Sequence, residues 1–204
     1  MRKYGMMFAL ILMVTAAVLM TGCQKPPEQE LAGAQQAIDA AKQAEAEKYA
    51  QSELSGAQST LDQARAEIET QKAKWFPNYD NAKKTLEQAK TQGDQTKEAA
   101  IQGKEKAKQA AMQAIADAKT AVEAAGTALK SAPKGKGTKA DLELMTTDLQ
   151  GYTTAIGEAE QLMASEDFTG ATAKATGAKD GANKVAADVA AAIEAKMSKG
   201  GKKK

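Results

Sequence analysis

Small apolar residues recur along this chain at spacings of three and four, separated by charged and amide side chains. Leu31, Ala34, Ile38 and Ala41 open the series. Leu54, Ala57, Leu61, Ala64, Ile68 and, past Gln71, Trp75 continue it. A third run starts at Tyr79, Ala82, Leu86 and Ala89, drifts through Gly93, Ala100, Gly103 and Ala107, and resumes from Ala111 to Ala132. Leu142 to Met163 and Phe168 to Ala192 form the fourth and fifth. This is the seam of packed helices, and strand-like alternation is absent. Ser52 is placed to cap the second helix, Asn78 or Asp80 the third and Ser165 the last, while Thr138 with Asp141 has capping-box spacing. Pro133, Gly135 and Gly137 stop a helix between the third and fourth. The helices are therefore predicted at about 28–48, 52–74, 78–131, 138–164 and 166–198, the third being ~80 Å long at 1.5 Å per residue.

Short turns favour antiparallel neighbours, so the first two helices pack on the first half of the long helix and the last two on its second half. The expected fold class is all-α, an elongated antiparallel bundle or coiled-coil-like rod of about five helices around one long central helix. Alanine supplies 45 of the 204 residues. With so few larger aliphatic side chains, the core is thin, and the glycine stretches 93–103 and 170–181 are expected to fray. An internal repeat supports helical hairpins, since Glu30–Asp39 aligns with Glu53–Asp62, and the Ala57, Leu61, Ala64 spacing returns at Ala82, Leu86, Ala89.

The first 22 residues differ in kind. Arg2 and Lys3 precede an uncharged stretch from Met6 to Met20, too short for a comfortable membrane span and suited to a secretory signal. It ends in Met20-Thr21-Gly22-Cys23, and Cys23 is the chain's single cysteine. That placement resembles the lipobox of bacterial lipoproteins. The resemblance implies cleavage between Gly22 and Cys23, a diacylglycerol on the Cys23 thiol and an acyl chain on its new amine. Gln24 follows, where Asp would resemble an inner-membrane retention signal, so the implied destination is the outer membrane, facing the periplasm. Several acyl chains give firm anchoring where one alone is marginal.

The chain thus divides into a signal over 1–22, a lipidated tether over 23–29, an alanine-rich hairpin plus long helix over 30–132, a loop over 133–138, a second hairpin over 139–198 and a basic tail over 199–204. Residues 30–90 also resemble an uncharacterised alanine-rich domain of Gram-negative lipoproteins, known as a domain of unknown function. That resemblance implies fold and envelope location and lends no catalytic residue.

Without the signal, basic and acidic residues number 26 each, so there is no broad basic surface for nucleic acid. Histidine is absent, which removes a His base and a His-ligated metal. Glu45/Glu47 and Glu67/Glu69 stand two apart, point to different sides of a helix and read as solvated faces. No phosphate loop or nucleophile motif is present, and no cofactor is expected. Three of the six aromatics beyond the signal crowd Trp75-Phe76-Pro77-Asn78-Tyr79. Trp75, Phe76 and Tyr79 either fill the corner between helices, the favoured reading, or anchor a partner. Lys202, Lys203 and Lys204 end the chain and offer contact with peptidoglycan. Similarity to the murein lipoproteins, which end in a lysine joined to the wall, makes a covalent bond through Lys204 an alternative.

The expected function is non-enzymatic: a lipid-anchored periplasmic spacer or docking protein of the outer membrane, held in lipid by acylated Cys23. Its other partners would be peptidoglycan or an envelope protein. A binding module acting through the Trp75–Tyr79 corner, or self-association through the helix seams, are the rival readings.

Overall fold

The computed structural model describes residues 24–132 and 139–201. Among them are six helices and no strand: α1 (Glu28–Gln43), α2 (Ala46–Tyr49), α3 (Gln51–Lys72), α4 (Asp80–Ser131), α5 (Lys139–Ala164) and α6 (Phe168–Gly201). The fold is an all-α helical bundle. Two compact units divide inside α4, one running to Gly103 and the other beginning at Lys104. The boundary falls within the long helix on whose two halves the hairpins were expected to pack. The loop expected at 133–138, with the cap expected at Thr138, lies outside the described residues.

In the first unit, the seam positions read from the sequence form the core. Ala34, Ile38 and Ala41 of α1, Leu54, Ala57, Leu61, Ala64 and Ile68 of α3, and Tyr79, Ala82, Leu86 and Ala89 at the start of α4 are all buried together. The 28–48 helix expected as one piece is two. It breaks at Glu45, which takes the left-handed conformation at φ 63°. Had the helix run on from Ala41, Glu45 and Lys48 would have followed at four and seven residues, carrying charge into the seam. The break turns Ala46 and Ala50 inward instead, at 0% and 4% exposure. Only Ala50 then separates α2 from α3, and its carbonyl accepts the Leu54 N–H at 3.0 Å. Ser52 consequently lies inside α3, whose start carries no side-chain cap. α1 begins at Glu28, directly after the buried Pro27, so the last two residues of the segment expected as a tether are helical.

The glycines of α4 expected to fray are contact points in an unbroken helix. A Cβ at Gly93 would stand 2.9 Å from the Ala37 backbone, and one at Gly103 would stand 2.7 Å from the Tyr49 carbonyl oxygen. Their missing side chains let α4 lie directly on α1 and α2.

The second unit packs the remainder of α4 with α5 and α6. Ile115, Ala118, Ile156, Ala159, Ala175 and Ala178 form one cluster, and Ala121, Ala125, Ala182 and Val185 another, with the Tyr152 ring against both. That ring occupies the space a side chain on Gly181 would need, so Gly181 has a packing role, whereas a Cβ at Gly177 meets open space. The α5–α6 turn is set by Glu166 at φ 61° and by Asp167. Asp167 Oδ1 accepts the Gly170 N–H at 3.2 Å, so Asp167 caps α6 where Ser165 was expected. The Ser165 hydroxyl instead donates back to the Leu162 carbonyl, because the left-handed residue intervenes between it and the helix. Ion pairs lace the surface, among them Lys119–Glu160 at 2.6 Å, Lys104–Glu166 at 2.7 Å and Lys179–Asp117 at 3.1 Å. Exposed pairs of this kind contribute little individually.

The glycine contacts make the first prediction, on stability. Gly93→Leu and Gly103→Val should each lower stability by about 1–3 kcal/mol through overpacking. Gly56→Ala, whose Cβ meets open space, should raise it by about 0.8–1 kcal/mol through helix propensity. Urea-unfolding midpoints check both, and an unaffected Gly103→Val chain would contradict the close contact. The second prediction concerns acid. Hydrogen bonds from Gln113 and Lys179 hold the Asp117 carboxyl below its ordinary range, and Lys104 does the same for Glu166. Both groups bind a proton more weakly folded than unfolded, so their contribution is present above the unfolded values, about pH 4, and is lost as pH falls through the folded ones. Thermal melts from neutral to acid pH should show a shallower acid limb for the Asp117→Asn, Glu166→Gln double variant, most clearly at low salt.

Candidate functional site

α3 ends at Lys72, before the period that would have brought Trp75 inward four residues after Gln71. The chain then turns through residues 73–79 and re-enters a helix at Asp80. Three successive backbone donors at that re-entry are each taken by a side chain. Gln71 Oε1 accepts the Asn78 N–H at 3.1 Å, Gln24 Oε1 accepts the Tyr79 N–H at 3.0 Å, and Asn78 Oδ1 accepts the Asp80 N–H at 2.8 Å. Of the two residues expected to cap this helix, Asn78 is the one that does so. Gln71 is itself buried and oriented by a 2.7 Å bond from its amide to Glu67. The helix begins past Pro77, which stays in the turn.

This scaffold separates the three aromatics. Tyr79 is 2% exposed and is among the largest fully buried side chains. Trp75 and Phe76 stand in solvent at 88% and 72% exposure. The expectation that all three fill the corner is corrected for Trp75 and Phe76, and the expectation of partner contact is corrected for Tyr79. The physical reason is that Tyr79 and the Gln71 side chain already occupy the corner, and α3 stops before the position that would turn Trp75 inward. Gln71 and Gln24 were not singled out as functional from the sequence. A glutamine at an apolar position of the α3 seam is the signal that marks Gln71.

Cations surround the turn. Lys25 and Lys74 are exposed, each one residue from a group just described. Lys72 pairs with Glu69 at 2.7 Å, and this hydrogen bond raises its pKa against the opposing effect of desolvation. The start of α1 meets the start of α4 here, where Lys83 pairs with Glu30 at 4.0 Å.

The other sequence candidates are dispersed. Gly22 and Cys23 lie outside the described residues, as do Lys202, Lys203 and Lys204. Glu45 holds the left-handed break, Glu67 accepts from Gln71 and Glu69 pairs with Lys72, so the two carboxylate pairs each do separate local work. Among the described residues, no cluster of acidic, His or Cys side chains is arranged to hold a metal. Among those residues, too, no helix is long and apolar enough to cross a membrane. A cleft of about 250 Å³ in the second unit is lined by Leu142, Met145 and Val189, with Asp141, Asp148 and Asp188 at its sides. It brings together no nucleophile and base. No protein-family model matches this chain, and neither does any curated protein or solved structure compared with it.

Removing the Gln71 acceptor by Gln71→Ala should cost about 1–2 kcal/mol, the usual scale for a lost helix cap. The Trp75→Ala, Phe76→Ala double variant should stay within about 0.5 kcal/mol of the parent, as exposed side chains do. Chemical denaturation distinguishes them, and a large loss on truncating the two aromatics would mean that they pack after all.

Proposed function

We propose that this chain is a non-enzymatic lipoprotein of the bacterial outer membrane, anchored by acyl chains on Cys23 and acting in the periplasm as a spacer or docking protein. The alanine-rich lipoprotein domain that residues 30–90 resemble fits the same role. One observation supports the reading more than any other. Gln24, the residue after the proposed anchor, is bonded to the folded turn at Tyr79. A chain cut before Cys23 would present its lipid at the bundle itself, with no loose linker between them. The spread of small apolar side chains along the helix seams supports a scaffold, and ion pairs such as Lys119–Glu160 and Lys174–Glu158 join neighbouring helices.

A second reading is favoured by the exposure of Trp75 and Phe76, which suits a binding role for the turn better than a purely structural one. Peptidoglycan contact through Lys202–Lys204, covalent at Lys204 or electrostatic, remains part of the proposal for the wall-facing role.

Mass spectrometry of the protein from membranes, beside digested sacculi boiled in detergent, tests these readings. The expected result is an N-terminal peptide starting at acylated Cys23, with Lys204 free or carrying a muropeptide. A muropeptide there makes the chain a covalent link to the wall, and its absence from sacculi leaves a non-covalent spacer. An unmodified Cys23 overturns the anchor.

A further inference from the structure

The exposed aromatic pair and the start of the described chain lie at one place, and that juxtaposition assigns the pair a partner. We propose that Trp75 and Phe76 form an interfacial foot that enters the phospholipid surface in which the acyl chains of Cys23 are held. The inference rests on the lipid-anchor reading and adds a second contact to it.

Covalent geometry limits the distance. Gln24 is bonded to Cys23 through one peptide, and its side-chain oxygen lies 3.0 Å from the Tyr79 nitrogen. The reach of a glutamine side chain then puts the Gln24 Cα within roughly 8 Å of the Tyr79 nitrogen, and the proposed acylation site is the residue before it in sequence. Phe76 and Trp75 are three and four residues earlier in the same turn. A bilayer that holds acyl chains at Cys23 therefore meets this turn, and a protein partner there would have to share the space with lipid.

The chemistry of the pair suits that surface. Indole carries an apolar ring and one N–H donor, and tryptophan concentrates where hydrocarbon meets headgroup. Phe76 adds an apolar face beside it. The turn is also held in place: the Lys74 N–H donates to the Gln71 carbonyl at 3.0 Å, and Asn78 is tied to Gln71 beyond the aromatics. The rings are thus presented from a braced loop rather than a loose one. Charge is a lesser factor. Lys72 is already paired with Glu69, and Lys25 and Lys74 alternate along the sequence with the acids Glu28 and Asp80, so the attraction is apolar and should depend little on salt. The remaining aromatics of the described chain are buried or half-buried, and the other exposed large apolar side chains, Ile101, Met112, Leu144 and Met197, are single residues on helices.

Trp75 is the only tryptophan in the chain, so its fluorescence reads the foot directly. The acylated protein, its mass verified, is placed in vesicles of phosphatidylethanolamine and phosphatidylglycerol with ordinary or brominated acyl chains. An interfacial side chain sits about 5–10 Å into the headgroup–acyl boundary, within reach of bromine on the upper acyl carbons. The expected result is a blue-shifted emission, loss of most of it to brominated lipid and protection from aqueous iodide. If the acylated protein floats with the vesicles while its indole keeps an aqueous spectrum and full access to iodide, the foot is wrong and the anchor stands. An indole shielded from iodide yet untouched by bromine also overturns it, in favour of a protein contact. An unmodified Cys23 removes the anchor, and the unacylated chain mixed with the same vesicles then decides the foot alone. Quenching by bromine keeps it, and an unchanged spectrum ends it.

Discussion

The distance between helix backbones, set by alanine and glycine, governs what each unit can contain. Ala34, Ala41, Ala57, Ala64, Ala82 and Ala89 are all fully buried, and Gly93 and Gly103 take α4 onto the backbones of Ala37 and Tyr49. At that separation the interior gains from many close contacts, each small, rather than from a few large side chains. A single added methyl group meets backbone, which cannot move aside as a flexible side chain would. Specificity of packing is therefore high even though the apolar area per residue is low, and large rings enter the core at few places, among them Tyr79, Tyr152 and Phe168.

That limit explains the ends of the helices as much as their middles. Where α3 gives way to α4 the chain must turn without a bulky core to fold over, and buried backbone donors need partners. Amide side chains supply them. Gln71 comes from within α3, Asn78 from the turn itself, and Gln24 from the far end of the sequence. The last of these joins residues 55 apart and fixes where the chain enters the first unit. The same saturation of the corner by Tyr79 and Gln71 leaves Trp75 and Phe76 outside.

The seams were legible because period is a property of sequence. Positions such as Ile38, Leu61, Leu86, Ile156 and Val185 fall where spacings of three and four put them, and most helix limits lie within a few residues of those read from capping residues and from the Pro133–Gly137 stop. The break at Glu45 was not legible, since neither Gly nor Pro marks it. Only the arrival of Glu45 and Lys48 at seam positions betrays it, as a conflict between helix continuity and burial of charge. Asp167 was passed over for Ser165 because a left-handed residue, Glu166, shifts the start of α6, and such a residue carries no signal of its own. The exposure of Trp75 was the hardest to foresee. By spacing it belonged to the α3 seam, and that inference depended on α3 running three residues further than it does.

The role of the turn follows from what it is built to do rather than from its composition alone. A folded chain that merely tolerated two exposed rings could place them anywhere on its helices, at little cost to stability. Here they stand between Gln71 and Asn78, on a loop braced from both sides, next to the residue that follows the proposed acylation site. One acylated residue fixes a molecule to a membrane but leaves its tilt free, since a single point of attachment is a swivel. A second contact close to the first restricts tilt without adding much reach, and two rings on a short rigid loop are well suited to that purpose. On the proposed anchor, the first unit would then be held in orientation as well as in place.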